Sequence, residues 1–416
     1  MSDPQNPLAG VVHPGVYVEE TSYRARSISG VGTSATAFAG VAGKGPVNKV
    51  SGPLYSYAQF AEAYGEASEI TFSSGEVQKC YLAQAAAAFF ENGGTRLYVS
   101  RVTAEDGINS APPTAADYAR ALGTLTAIGE IAIVAAPGGA IAGEVGSLHD
   151  ALITHVNQAR AYRFAVLDPP AEATIADMKA LRARLDCRNA ALYYPWIKVS
   201  APVIKLAKLS ETVLRPGPVI KPAPLLQRTV TVPPSGAMCG IFCRVDAARG
   251  AFKAPANEVI TGAVSFEVAL TDNDSDDLNP LGINCLRSFT GRGNRVWGAR
   301  TVSSDPEWKY INVRRYLLYL EHSIDAGTQW VVFEPNGETL WNAVRQTITD
   351  FLYNEWRSGA LLGAKPEEAY FVRCDRTTMT QDDIDSGRLV CLVGVAQIKP
   401  AEFVIFRIGQ KTKDSQ

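Results

Sequence analysis

Histidine is scarce in this chain. Four in 416 residues leave too few imidazoles for a His-rich metal site. Cysteine is sparse and scattered: Cys80, Cys187, Cys239, Cys243, Cys285, Cys374 and Cys391 form no regular framework. An odd, dispersed set belongs to a reducing compartment rather than to a disulfide-stapled domain. No run reaches about 18 consecutive apolar residues, so no transmembrane helix is expected. The opening MSDPQNPLAG lacks a charged stretch followed by an apolar run and does not read as a signal peptide. The chain is therefore expected to fold in a cytoplasm. Charge of one sign is also missing: 40 Lys and Arg against 42 Asp and Glu give a net charge of -2. No overall basic field favours nucleic acid. What is present is 46% hydrophobic and 20% charged, enough for a sizeable core and a length of two or three domains.

Residues 1–12 are rich in Pro, Gly and Asn and read as extended or disordered. Val16, Tyr17 and Val18 then alternate like a strand ahead of a polar linker, 21–29. With no neighbour in sequence, that strand must pair with a distant segment or with another chain. From residue 33 onward the pattern becomes regular. Short apolar runs at 33–41, 96–102, 130–136, 164–168 and 190–194 alternate with helical stretches at 77–91, 115–126, 145–160 and 175–185. Continuous apolar strands separated by helices predict a mainly parallel sheet covered on both faces. A shorter helix is expected at 54–64. The proline-rich stretch 201–234 interrupts the pattern and reads as an extended or hairpin excursion. A helix follows at 236–249, a strand at 264–270, and an acidic loop, TDNDSDDLN, at 271–279.

Beyond Gly291 the spacing predicts helices at 307–324 and 338–357, strands at 329–333, 369–374, 388–399 and 402–408, and a turn or short helix at 382–386. In FVIFRI, Phe403, Val404, Ile405, Phe406 and Ile408 are apolar on both faces, so this strand should be buried on both sides of a sheet.

Candidate chemistry is thin. Gly43, Lys44, Gly45 and Pro46 lack the spacing and the Lys-Ser/Thr of a phosphate loop and read as a turn. Cys239 and Cys243 share a helix face, but no second Cys/His pair stands nearby to complete a zinc site. The acidic loop lacks the glycine and glutamate that a calcium loop of EF-hand type needs. Ser235 opens a helix within an α/β pattern, as a hydrolase nucleophile would. His149, His155, Asp168 and Asp186 precede it, yet none stands in a triad-like context, and Ser235 reads as the helix N-cap. No cofactor or metal is expected.

The stretch RSFTGRGNRVWGAR, 287–300, sets arginines on a Gly-rich turn, with Arg314 and Arg315 on the helix that follows. Without interleaved aromatics, Arg292, Arg295, Arg300, Arg314 and Arg315 suit acidic patches on neighbouring subunits better than nucleic acid. This block resembles the C-terminal domain of contractile phage tail sheath proteins, including the sheaths of phage-like contractile injection systems. HPGVYVEE at 13–20, VPPSGAMCGIFCRVDAARGAFKAPANE at 232–258 and PAEFVIFRIGQ at 400–410 resemble the family's opening, central and closing segments, in family order.

The resemblance implies α/β and α+β architecture: a subtilisin-like outer domain with a mainly parallel sheet, and a C-terminal α+β inner domain. Terminal strands exchanged between subunits would complete the inner domain. The corresponding partition is an arm at 1–29, an outer domain at 30–286, an inner domain at 287–400 and a terminal strand at 401–416. It further implies a helical, six-fold homo-oligomer around an inner tube protein, meeting baseplate and tail-terminator proteins and sister sheath subunits. Such a particle is assembled in a cytoplasm and released by lysis. No membrane insertion and no enzymatic activity are implied. A helix of the inner domain would face the tube, with 338–357, carrying Arg345 and Arg357, placed first and 307–324 as the alternative. Two other classes remain: a subtilisin-like serine hydrolase using Ser235, and a closed-ring structural adaptor.

Overall fold

The computed structural model describes residues 27–66, 69–104, 111–139, 145–200 and 229–406. The expected strand at Val16, Tyr17 and Val18, most of the 201–234 excursion, and Ile408 lie outside these residues.

The first half of the chain builds β1 (Thr36–Val41), β2 (Val50–Leu54), α1 (Tyr57–Tyr64), β3 (Glu69–Thr71), β4 (Val77–Lys79), α2 (Leu82–Glu91) and β5 (Leu97–Val102). Next come α3 (Ala115–Leu125), β6 (Ile133–Ala135), α4 (Val145–Val156), β7 (Phe164–Leu167), α5 (Ile175–Arg182), β8 (Ala190–Tyr194) and β9 (Ile197–Ser200). After the excursion follow β10 (Thr229–Val232), α6 (Ser235–Arg249), β11 (Ala263–Phe266), α7 (Asp272–Leu278), β12 (Ile283–Phe289) and β13 (Gly293–Trp297). The remainder is α8 (Ile311–Gly327), α9 (Glu338–Arg357), α10 (Pro366–Ala369), β14 (Tyr370–Arg373), α11 (Gln381–Asp385) and β15 (Leu392–Val395).

An eight-stranded sheet runs β13-β12-β8-β7-β6-β1-β5-β2. From β12 to β5 every neighbour is parallel, and an antiparallel strand closes each end. The side-chain period of two divides each central strand between two cores. Phe38, Val99, Ile133, Phe164, Val166, Tyr193 and Leu286 face α2 and α6. Ala37, Ala39, Val134, Ala165, Leu167 and Leu192 face Tyr118, Leu122 and Leu125 of α3, Leu148 and Leu152 of α4, and Met178 of α5. Helix α6 presses onto α2 through Gly236 and Gly240. A Cβ at Gly240 would come within 2.4 Å of the Phe89 carbonyl oxygen, so the two backbones approach only because no side chain intervenes.

Several helices start where the sequence supplies the cap. Thr114 with Asp117, Thr174 with Asp177, Thr271 with Asp274 and Thr380 with Asp383 each form a reciprocal capping box. The third of these corrects the expected acidic loop at 271–279, which is α7. Asp272 and Asp274 sit in its first turn, where negative charge favours a helix.

Other expectations change for local reasons. Residues 77–79 pair with β3 as a hairpin before α2 begins, so the expected helix at 77–91 is shortened. The stretch 329–333 has strand-like composition but joins no sheet among the described residues. Gln329–Val331 makes one 3-10 turn, and Phe333 stands fully exposed at positive φ. The strand expected over 388–399 is confined to Leu392–Val395. Strand β12 was not anticipated. It places Arg287, expected to begin the second domain, inside the main sheet. β9 and β10 pair antiparallel on either side of 201–228, which lie outside the described residues.

A smaller core gathers Tyr316 and Leu320 of α8, Leu340, Trp341, Val344, Ile348, Phe351 and Leu352 of α9, and Ala369, Cys374 and Met379 around the β14–β15 hairpin. Helix α8 is covered over most of its surface, with Ile311 through Tyr316 all buried. It is the joint between the two cores, since Ile311 and Leu318 belong to the large one.

Candidate functional site

The last described residues leave the body of the protein at Glu402. This carboxylate is clasped from several sides. Arg300 donates from Nε to Oε1 (2.7 Å) and from Nη2 to Oε2 (2.6 Å). Asn279 Nδ2 donates to Oε1 (3.2 Å), Tyr310 Oη to Oε2 (3.2 Å), and Lys309 Nζ lies 3.4 Å from Oε2. Burial alone would raise the Glu402 carboxyl, but the Arg300 guanidinium and its hydrogen bonds hold it below its ordinary value. Arg300 is itself buried and also donates to the Asn279 carbonyl. The root of the arm is thus pinned by a two-pronged ion pair, the strong geometry for Arg and carboxylate.

Beyond the pin the described residues are bare. Phe403, Val404, Ile405 and Phe406 are 72%, 67%, 81% and 82% exposed, and no strand pairs with them. The expectation that this segment is buried on both faces is therefore not met within one chain. Four consecutive apolar side chains held in water make an exposed apolar patch. β14 and β15 form a sheet of only two strands, edged by exposed Phe371, Leu392 and Leu362. Helix α9 covers one face of this pair.

The arginines divide into two groups. Arg315 and Arg314, like Arg300, are buried and take internal partners, which corrects the expectation that all three face other subunits. Arg315 donates to both oxygens of Asp246 (2.8 and 2.6 Å) and to the Thr33 carbonyl (3.1 Å), tying α8 to α6. Arg314 donates to Asn189 Oδ1 (2.6 Å) and to Glu321 (3.2 Å). Arg292 and Arg295 sit at the β12–β13 hairpin. Arg292 lies over the rings of Phe289 and Trp297, while Arg295 donates to the Asn257 carbonyl (2.7 Å). Arg345 and Arg357 project from the solvent face of α9, opposite its apolar stripe. Of the two helices expected as tube-facing candidates, α9 keeps an open face.

Ser235 resolves differently from its expected role. The helix N-cap is Pro234, and Ser235 is the first helical residue, fully buried. Its N–H donates to Asp168 Oδ1 (2.8 Å) and its hydroxyl to Oδ2 (2.6 Å). His149 is also close, but its Nε2 meets the Asp168 main-chain oxygen (2.9 Å). A triad requires imidazole between carboxylate and hydroxyl. Here the carboxylate takes the hydroxyl directly. Burial pushes the Asp168 carboxyl up to about 7 and the His149 imidazole down to about 4. His155 meets Arg163 Nη1, and Asp186 accepts from Ser304, so neither approaches Ser235 as a base. Cys239 and Cys243 are buried, and Cys243 donates to the Ser34 carbonyl. Among the described residues, no group of three or more His, Cys, Asp or Glu side chains is placed to hold a metal. No helix among them is long and apolar enough to cross a membrane.

Comparison with known proteins shows the family. The family profile of the phage tail sheath protein central domain matches residues 111–302, and that of the phage tail sheath C-terminal domain matches residues 303–411. The chain belongs to the contractile tail sheath family. A putative prophage major tail sheath protein of Pseudomonas aeruginosa (strain UCBPP-PA14) is 24% identical over 180 residues, 42% of this chain and 45% of that protein. The aligned stretch thus spans less than half of this curated relative.

Solved structures match over nearly the whole length. The anti-feeding prophage helical sheath in its contracted state is 28% identical with a TM-score of 0.74, covering 96% of this chain and 100% of that one. The PVC sheath complex of an extracellular contractile injection system, also contracted, is 26% identical with a TM-score of 0.73, covering 97% and 99%. Against this sheath family the eight-stranded sheet and the α8–α9 unit fall on either side of the boundary between the two profiles.

Proposed function

We propose that copies of this chain polymerise into a helical sheath of stacked six-membered rings around an inner tube, and that contraction of the sheath drives the tube outward. The observation that carries this reading is the apolar arm, 403–406, which is bare in one chain and pinned at its root by Arg300 and Glu402. In the assembly it adds as a strand to the β14–β15 sheet of a neighbour, by main-chain pairing with side chains entering alternate pockets. The contact is heterologous, and one that does not close on itself yields a helical filament. Val16, Tyr17 and Val18 supply a second donated strand. The linkers behind both strands keep the lattice connected while subunits move as rigid bodies.

The eight-stranded unit is subtilisin-like in architecture and faces outward without catalysing a reaction. The solvent face of α9, with Arg345 and Arg357, meets the tube protein. Arg292 and Arg295 at the exposed hairpin meet neighbouring subunits. Baseplate and tail-terminator proteins contact the ends of the polymer, and sister sheath subunits share its lattice. Assembly takes place in a cytoplasm, with release on lysis. Electron microscopy of the full chain expressed alone tests the reading. Long striated tubes support it. Discrete rings of fixed mass identify a closed adaptor instead, and uniform small particles that label at Ser235 with a fluorophosphonate identify a hydrolase.

A further inference from the structure

We propose that Cys374 and Cys391 form a dithiol that a small-molecule disulfide closes into a cross-strand bond, stapling β14 to β15. β14 pairs β15 antiparallel, with Tyr370 opposite Val395 and Arg373 opposite Leu392. One step further, Cys374 stands opposite Cys391. The hydrogen-bond alternation of the ladder can be read from its other end. The Ala396 N–H donates to the Ala369 carbonyl (2.7 Å), marking that opposed pair as hydrogen-bonded. Bonded and non-bonded pairs alternate along an antiparallel ladder, so Cys374 and Cys391 occupy a non-bonded pair. There the Cα atoms approach to about 4.5 Å with side chains closest, inside the separation a disulfide spans.

Chemistry supports the same pairing. All seven cysteines are free thiols. Cys80, Cys187, Cys243 and Cys285 hydrogen-bond to Val41, Asn157, Ser34 and Ile283 respectively, and Cys239 is sealed in the α6 core. Cys374 and Cys391 instead meet each other. A hydrogen bond from the Cys391 thiol holds Cys374 below its ordinary value, and the same bond pushes Cys391 up. Cys374 is buried and Cys391 half-buried, so an external disulfide reaches Cys391 first.

The exchange balances without a further oxidant. Cys391 loses its proton to water as its sulfur attacks one sulfur of the small disulfide, forming a mixed disulfide and expelling a thiolate that takes up a proton. Cys374 then releases its proton, and its thiolate attacks Cys391 Sγ, forming the internal bond and expelling the second small thiolate, which is protonated in turn. Two protein thiols are oxidised and one small disulfide is reduced to two thiols. A reducing interior keeps the pair open, and an oxidising milieu closes it.

The test uses the full-length protein, incubated folded with excess oxidised glutathione, then quenched with acid and unfolded. Thiol titration should fall from seven to five, with a mass loss of two hydrogens and a proteolytic peptide linking residues 374 and 391. Dithiothreitol should restore all seven thiols. Cys391→Ser should keep its six remaining thiols under the same treatment. Seven reactive thiols after oxidation overturn the proposal, as does a glutathione adduct that persists on Cys391, or a linked peptide naming any other pair. Because the wild-type peptide map decides the pairing, the proposal stays testable even if the serine variant fails to fold.

Discussion

Removing either member of the Arg315–Asp246 pair should unfold the joint between the two cores. The side chains are 4% and 3% exposed, and they join α8 to α6 across 69 residues of sequence. Asp246 accepts two guanidinium bonds and a third from the Thr33 hydroxyl (2.6 Å). Arg315 also lies over the Phe242 ring at 4.7 Å. Burial alone would lower the Arg315 pKa, and the Asp246 charge raises it on balance, so the guanidinium stays charged. Breaking a buried pair by deleting one partner leaves an uncompensated charge and costs about 3–5 kcal/mol. Replacing both with apolar groups of similar volume removes that penalty.

Arg315→Met and Asp246→Leu should therefore each lower the unfolding free energy of the unassembled chain by about 3–5 kcal/mol, while the double variant loses much less than their sum. Urea unfolding followed by tryptophan fluorescence measures all four proteins of the cycle. Single losses under about 1 kcal/mol, or strict additivity in the double variant, would refute the reasoning.

Three further outcomes follow from named contacts. Asp168, pushed from 3.8 to about 7 by burial, binds its proton more tightly folded than unfolded. It favours the folded state below its unfolded value, and that contribution is lost as pH rises to about 7. Asp168→Asn should thus gain on the wild type by about 4 kcal/mol between pH 4 and pH 8 in denaturant titrations, whereas a pH-independent difference would count against the assignment. Glu402→Gln removes the charge from the clasp on Arg300 and should weaken the arm's anchorage by about 2 kcal/mol, seen as faster proteolysis after residue 400 with little change in the melting of the main body. Gly240→Ala drives a Cβ to within 2.4 Å of the Phe89 carbonyl oxygen and should cost about 3 kcal/mol in thermal unfolding; an unchanged midpoint would mean that α2 and α6 are less closely packed.

The parallel strands and the two long C-terminal helices are legible in sequence because their apolar patterns are continuous. Glu338–Arg357 coincides with its expected span, since Leu340, Val344, Ile348, Phe351 and Leu352 recur at helical spacing. β12 is not legible for the opposite reason. INCLRSF interrupts its apolar residues with Asn284, whose buried amide is paid for by bonds to the Leu192 and Arg300 carbonyls. Such partners are tertiary facts. The same holds for Ser235, whose acceptor Asp168 stands 67 residues away, and for Arg315. Charge type alone suggests surface for an arginine, and only the fold reveals which carboxylate buries with it. The exposed arm was legible as apolar and strand-like, but one chain cannot supply the sheet that such a segment needs.

The central claim is that residues 401–416 hold subunits together rather than hold one subunit folded. Negative-stain electron microscopy of the full chain and of the chain ending at residue 400 tests it most directly. Long striated tubes should come from the first, and from the second a folded protein that forms none, its melting temperature lowered by the loss of Glu402 from buried Arg300. Tubes of equal length and striation from the shortened chain would contradict it.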